Sequence, residues 1–405
     1  MNNEKKYIVI TIMTALFTIL LFFGLHKIDM LKNKSRSYIK VGFVFDGDES
    51  TPYTGNFVKT AGSVKSEFGD RVEIIIKNNV PYSEASTVIK ELVNEKCDII
   101  FTNSYGYQVA AKEIAKNNPK IQFCQATGDN ANETPKLKNY HTFMGKIYEG
   151  RYVAGKVAGL KLNELIKNGD IKKEQALVGY VGAYSCAEVI SGFTAFFLGI
   201  KSECPSAKMK VRYTNTWTSY AKEKEISEKL IQEGCVIISQ HSDTIGPAVA
   251  CENSNSDLEH PVYHVGYNQD MIDAAPTTSL VSCRINWEPY IRGAIQAVID
   301  NQKIEEVIDA DINGNDAGAG FERDWVQMLE LNQATVAKGS REMVKKTIDD
   351  FENKSCYVFK GNFTGVNPDD PDDIIDLNKE YKENNNQSAP TFNYILDDVI
   401  QIEED

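Results

Sequence analysis

Polar and aromatic residues recur in this sequence immediately after short β-rich runs. Asp46-Gly47-Asp48-Glu49 follows Lys40–Phe45, Asn103-Ser104-Tyr105 follows Asp98–Thr102, and Thr127-Gly128-Asp129 follows Ile121–Ala126. Further on come Ala183-Tyr184, Asn215-Thr216-Trp217, Gln240-His241-Ser242-Asp243, Tyr267-Asn268 and Asn286-Trp287. Carboxylates, amides and hydroxyls exchange hydrogen bonds with hydroxyl or N–H groups, and aromatic rings offer faces for stacking. In open parallel sheets, ligands bind outside the carboxyl ends of the strands. The pattern points to a site that reads hydroxyls and a planar ring.

Motifs for other chemistry are incomplete. Gly179-Tyr-Val-Gly182 is a fragment of a dinucleotide loop without its third glycine or acidic partner. Neither a Gly-Lys-Ser/Thr phosphate loop nor a Gly-x-Ser-x-Gly elbow occurs. Asp309-x-Asp311-x-Asn313-Gly314 copies half of a calcium loop, but its twelfth position is Gly320, where a bidentate glutamate is needed, so it reads as a polar turn. His260 and His264 are four apart, yet Pro261 breaks the helix that would align them on a metal. The sequence calls for no cofactor, no metal and no catalytic residue.

The elements that must position these loops alternate between β-rich runs and amphipathic helical stretches, the signature of mainly parallel sheets with helices on both faces. A first block holds strands at Lys40–Phe45, Val72–Lys77, Asp98–Thr102 and Ile121–Ala126. A long helical stretch, Tyr148–Ile166, opens a second block. Its strands are read at Ala176–Val181, Met209–Tyr213, Val236–Ser239, Pro261–Val265, Leu280–Arg284 and Trp325–Leu331. This is too many strands for one comfortable sheet, so an α/β chain of two lobes is expected.

The 405-residue chain carries a net charge of −13 without a basic stripe, which argues against nucleic acid as a partner. Near its start, Lys5 and Lys6 precede an uncharged run, Tyr7–Leu25, followed by Lys27, Lys32, Lys34 and Arg36. That run approaches the ~17–25 residues of a membrane span and exceeds a typical secretory core, and no Ala-x-Ala site follows. Residues 1–37 are therefore expected to comprise a cytoplasmic stub, an uncleaved signal anchor and a basic linker, oriented N-in, C-out. A cleaved signal peptide is the alternative. Eight cysteines in an exported chain allow disulfides; Cys186–Cys204 and Cys235–Cys251 are conceivable pairs, and small core filler is the other reading.

The chain resembles the basic membrane protein family, substrate-binding proteins of ABC transporters typified by purine-nucleoside receptors. The likeness runs from about Lys40 to Gln401 and rests on four stretches in order: Gly145–Gly159; Thr216-Trp217 through Asp243; Val265–Ser282; and Asn286-Trp287-x-Pro289-Tyr290. The resemblance implies a type I periplasmic-binding fold with three hinge crossings. One lobe would be 38–144 plus 267–302, the other 145–266 plus 303–405. It implies a purine base held between rings of the two lobes, aligning with Tyr53, beside Thr54, and with Trp217. The family's ribose-binding aspartate aligns with Asn268. Its hinge lysine aligns with Ile285, leaving Arg284 or Asn286 as substitutes. The family's lipid-bearing cysteine is missing.

Together these readings give the candidate ligand contacts Glu49, Tyr53, Thr54, Asn103, Tyr105, Trp217, His241, Asp243, Asn268, Arg284 and Asn286. The expected role is an extracytoplasmic, membrane-held binding protein that captures a nucleoside-like small molecule for an ABC permease and does no covalent chemistry. A different small metabolite, or a membrane-anchored sensor for a signalling partner, is the alternative.

Overall fold

The computed structural model describes residues 36, 38–254, 261–397 and 399–402. The expected membrane run Tyr7–Leu25 lies outside them, as does His260; among the described residues no helix is long and apolar enough to cross a membrane.

The first strands are β1 (Ile39–Val44), β2 (Val72–Lys77), β3 (Ile99–Thr102), β4 (Gln122–Ala126) and β5 (Tyr140–Gly145), of which the first three are rich in β-branched residues. Helices α1 (Pro52–Phe68), α2 (Ala85–Asn94) and α3 (Gln108–Asn117) make the crossovers. β1 is paired on both sides: Val41 registers with Ile74 of β2 and with Ile99 of β3, both parallel. A strand paired on both sides and covered on both faces is mostly apolar, as IKVGFV is apart from the part-exposed Lys40.

After β5 the chain enters α4 (Ile147–Asn168), then β6 (Leu177–Gly182), α5 (Ala187–Glu203), β7 (Lys208–Tyr213), α6 (Tyr220–Gln232), β8 (Ile237–His241), α7 (Gly246–Ser254), β9 (Tyr263–Tyr267) and β10 (Ser279–Ile285). Helices α4 and α5 cross at close range. A Cβ on Gly155 would sit 2.0 Å from the Phe196 carbonyl oxygen, and one on Gly199 2.2 Å from that of Tyr152. Only glycine at both positions permits that approach.

The chain then returns with α8 (Glu288–Asp300), β11 (Asp311–Asn313) and β12 (Asp316–Ala319), and crosses again to β13 (Val326–Met328) and α9 (Ser340–Glu352). A C-terminal part adds β14 (Thr364–Asn367), β15 (Asp370–Asp376), β16 (Ile395–Leu396) and β17 (Ile400–Ile402). The described strands form two large sheets, ordered β11-β12-β5-β4-β3-β1-β2 and β13-β10-β9-β8-β6-β7-β17, plus a small one, β15-β14-β16. The two-lobed α/β architecture with three crossings is therefore present.

The lobe boundaries differ from expectation. The expected first lobe includes residues 279–285, but β10 pairs with β9 in the second sheet, Val281 opposite Val265. The expected second lobe includes residues 311–319, but β12 runs parallel to β5 in the first, Asp316 opposite Thr142. The crossings thus follow β5, β10 and β12. Helix α8 covers the first lobe, with Trp287 stacked on Phe57 (4.5 Å) and Tyr290 on Phe143 (3.7 Å).

The calcium-like string is a hairpin turn: Asn313 pairs with Asp316 across Gly314, which has φ of 62°, and Asp309 and Asp311 bind Arg323. All eight cysteines are unbridged, and Cys97, Cys124, Cys235 and Cys283 are buried filler.

Candidate functional site

The loops at the carboxyl ends of both sheets face each other. A small cavity of about 30 Å³ lies between them, no larger than a water site. The first lobe lines it with Asp46 after β1, Tyr53 in the first turn of α1, Ser104 and Tyr105 after β3, and Thr127 after β4. The second lobe contributes Glu188 in the first turn of α5, Trp217 after β7, His241 and Asp243 at the end of β8, and Tyr267 ending β9. An outer chamber of about 360 Å³ shares Tyr105, Thr127, Glu188 and Trp217 with it and adds Tyr82, Asp129 and Tyr184. That volume falls within the ~300–1,000 Å³ of small-molecule sites.

The loops are held from behind. Asp46 accepts from Asn103 Nδ2 (3.0 Å) and Thr54 Oγ1 (3.2 Å), while its own N–H donates to Asn103 Oδ1 (3.1 Å). Tyr53 Oη donates to the Asn103 carbonyl at 2.5 Å, which fixes the ring at the cavity wall. In the second lobe, Glu223 accepts from Ser242 Oγ (2.8 Å), Thr244 Oγ1 (2.7 Å) and Thr244 N (3.1 Å), clamping the loop that carries Asp243. The Trp217 carbonyl accepts Asp243 N at 2.9 Å. Two residues here hold left-handed backbone: Thr127 (φ 58°) and Asn268 (φ 66°). For β-branched Thr127 this is a real outlier, of the kind that collects at functional sites.

Charge is concentrated in this space. Asp46, Glu188 and Asp243 bring three carboxylates to one cavity. Burial, with Asp46, Glu223 and Glu188 nearby, raises Asp243 well above the usual carboxylate range. Burial, reinforced by the Arg151 charge, lowers His241 to about 4, so its ring is neutral near pH 7. Fully buried Arg151 lies over the Tyr267 ring at 3.8 Å, a cation–π contact that places positive charge behind the cavity wall formed by Tyr267. The arrangement can accept several hydrogen bonds and stack a planar group. A ligand rich in hydroxyl or N–H donors relieves the cost of burying those acceptors.

Of the eleven residues singled out in the sequence, Tyr53, Tyr105, Trp217, His241 and Asp243 line the cavity. Thr54, Asn103 and Asn268 stand behind it: Asn268 Nδ2 reaches Asp243 Oδ1 at 3.5 Å, and its carbonyl accepts Asn56 Nδ2 of α1 at 2.7 Å. Three are elsewhere. Glu49 is exposed and lines neither chamber. Arg284 is drawn onto Gln327 Oε1 (2.8 Å) because β10 and β13 pair antiparallel in that register. Asn286 donates to the Asp324 carbonyl and carboxylate. Both face a shallow hinge groove away from the cavity. Arg284→Ala is accordingly expected to cost about 1 kcal/mol of stability while ligand affinity stays within about threefold; thermal melts and titration of the same sample check it.

Asp46, Ser104, Thr127 and Tyr267, strand-end residues outside those eleven, also line the cavity. Glu188 and Arg151 were missed. The available signal for Arg151 was a charged side chain, one of two with Lys156, inside the small-residue run Gly150–Gly159.

A protein-family model described as ABC transporter substrate-binding protein, PnrA-like, matches residues 39–353. The chain belongs to this family. It is thus a substrate-binding protein of the ABC-transporter type, working on the extracytoplasmic side with a small-molecule ligand and a permease partner. A purine-binding protein of Brucella abortus is 30% identical over 264 residues, covering 65% of this chain and 69% of that one. A Haloferax volcanii protein, provisionally named as an ABC transporter glucose-binding protein, is 27% identical over 293 residues, 72% of this chain and 67% of its own. The fold matches an ABC transporter solute-binding protein from Aeropyrum pernix with a TM-score of 0.64, at 13% identity, over 82% of this chain and 95% of that one.

Proposed function

We propose that this protein captures a purine nucleoside between its lobes and delivers it to an ABC permease, without covalent chemistry. The observation that carries this reading is that Tyr53 and Trp217, from opposite lobes, line one cavity together with Asp46, Glu188 and Asp243. A purine offers two ring faces and N–H donors, and its ribose offers hydroxyls, which answers both halves of that wall. The deep cavity alone is too small, so base and ribose take it together with the outer chamber. Entry then requires the lobes to part about the three crossings, a hinge motion. The name of the Brucella relative supports the purine. The name of the Haloferax relative supports a hexose. Carboxylates serve either ligand, but aromatic rings from both lobes favour the planar one.

The basic-flanked run Tyr7–Leu25 supports a tether to the membrane, with its span the right length to anchor the protein N-in, C-out. It would keep the binding lobes beside the permease, as a lipid does in proteins that carry one.

Calorimetric titration with adenosine, guanosine, inosine and glucose tests the ligand. Saturable binding of at least one nucleoside and none of glucose is expected. Glucose binding with no nucleoside response would sink the purine reading. Inosine should also be recovered intact after long incubation; release of hypoxanthine would move the chain into an enzyme class.

A further inference from the structure

The matched family region ends at residue 353, but the chain continues through residues that touch both lobes. β17 is added to the second sheet, Ile400 in parallel register with Met209 of β7. Just before it, the Glu383 carboxylate takes Ser191 Oγ of α5 (3.1 Å) and the Phe392 amide (2.9 Å), while Phe392 stacks on Phe359 at 4.5 Å. Those contacts fix the segment to the second lobe. Between them it reaches the first. Buried Asp316 of β12 accepts both Ser388 N (2.5 Å) and Ser388 Oγ (2.7 Å), and the Asn386 carbonyl accepts Asn313 Nδ2. The next two residues, Ala389 and Pro390, form a wall of the outer chamber, facing Tyr105 of one lobe and Trp217 of the other.

We propose that residues 383–392 are a clasp. They latch the lobes across the cleft and, through Ala389 and Pro390, set how large a ligand the chamber admits and how slowly it leaves. The links at Ser388 are short-range hydrogen bonds to the buried Asp316 carboxylate, so the latch is strong when closed and lost once the lobes separate by a few ångströms. The three covalent crossings let the lobes hinge; the clasp biases that hinge towards closure. The wall role rests on the cleft being the ligand chamber, while the latch role does not.

Two arms separate these. In full-length protein without added nucleoside, Asp316→Asn is expected to speed amide exchange across 386–392 at least about tenfold and to raise the radius of gyration seen by X-ray scattering. Ser388→Ala should move both in the same direction by less. Unchanged exchange and scattering in both variants would overturn the latch, whatever the ligand proves to be. For the wall, Ala389→Trp should weaken inosine about tenfold or more and hypoxanthine less, because the larger ligand fills more of the chamber. Asp316→Asn should hasten inosine dissociation about tenfold. Parent-like inosine and hypoxanthine affinities in Ala389→Trp would overturn the wall. Failure of the parent to bind either ligand would instead sink the purine reading, leaving the exchange arm to decide the clasp.

Discussion

Replacing Trp217 by alanine is expected to lower purine-nucleoside affinity by roughly 30- to 1,000-fold, the equivalent of about 2–4 kcal/mol of lost ring burial and stacking. Trp217 is half-buried and lines both the deep cavity and the outer chamber, so its ring is placed to meet a ligand and not only its own lobe. Its aromatic contacts are not face-to-face: Tyr184 is edge-on at 5.6 Å and His241 tilted at 6.4 Å. The bond that holds the neighbouring loop uses the Trp217 backbone carbonyl, which accepts Asp243 N, and alanine keeps it. Trp217→Phe should cost far less, since a ring face survives. Tyr53→Phe should also be mild in affinity, because the Tyr53 hydroxyl is already committed to the Asn103 carbonyl. It should instead cost about 1 kcal/mol of stability. A structural Trp217 makes the opposite forecast: a lower melting temperature with affinity intact. Titration and melts on the same variants distinguish them, and a well-folded Trp217→Ala protein that binds nucleosides like the parent ends the clamp.

The parts of the fold readable from sequence were those where one physical signal dominated. Ile39–Val44 and Val72–Lys77 are β-branched runs bounded by polar turns, and they are strands. β5 escaped because its sequence, YHTFMG, mixes polar and apolar residues without alternation. His141 and Thr142 are tolerated in that buried strand only because Glu305, Gln122 and Asp316, all distant in sequence, take their hydrogen bonds. β12, the small-residue string DAGA, offers no strand signal at all; it exists because the edge of β5 is open to it. Missing β12 displaced the last lobe boundary, whereas β10 was legible as a strand and only its pairing with β9 shows which lobe it joins. The site divided in the same way. The rule that ligands meet strand ends reached Asp46, Thr127 and Tyr267 without any knowledge of packing. Choosing among such residues needed register, and only the pairing of Arg284 with Gln327 shows why that arginine leaves the cleft. Glu188 belongs to a helix start, so a strand-end rule could not reach it.

Glu149→Gln is expected to make the protein more stable at alkaline pH and nearly unchanged in mild acid. Glu149 stands in the first turn of α4, just beyond the first crossing, and is 5% exposed. Its Oε2 accepts the amide of Phe321, on the third crossing, at 2.9 Å. Burial is the main cause that raises this carboxyl from 4.5 to about 8, with Glu322 and Asp311 adding to it and the Phe321 bond and Lys146 opposing. A raised pKa means the folded protein holds the proton more tightly than the unfolded chain. The resulting stability is therefore fully present below about pH 4.5 and is lost as pH rises through about 8. Over that window the change is on the order of 3–5 kcal/mol for this one group. Glutamine keeps an acceptor for Phe321 and never ionises, so its advantage over the parent should grow from near zero at pH 5 to that amount by pH 9. The other buried carboxyls pushed upward, Asp243, Glu223, Asp316 and Glu383, act in the same sense but are common to both proteins. His241 and His264, lowered to about 4 and about 3, lose stability as pH falls below their ordinary 6.5, and they too cancel in the comparison. Urea unfolding of both proteins from pH 5 to 9 measures the difference directly. A gap that stays constant across that range would mean Glu149 is ionised in the folded protein throughout. The link between the two crossings would then be a charged one, with no proton to lose.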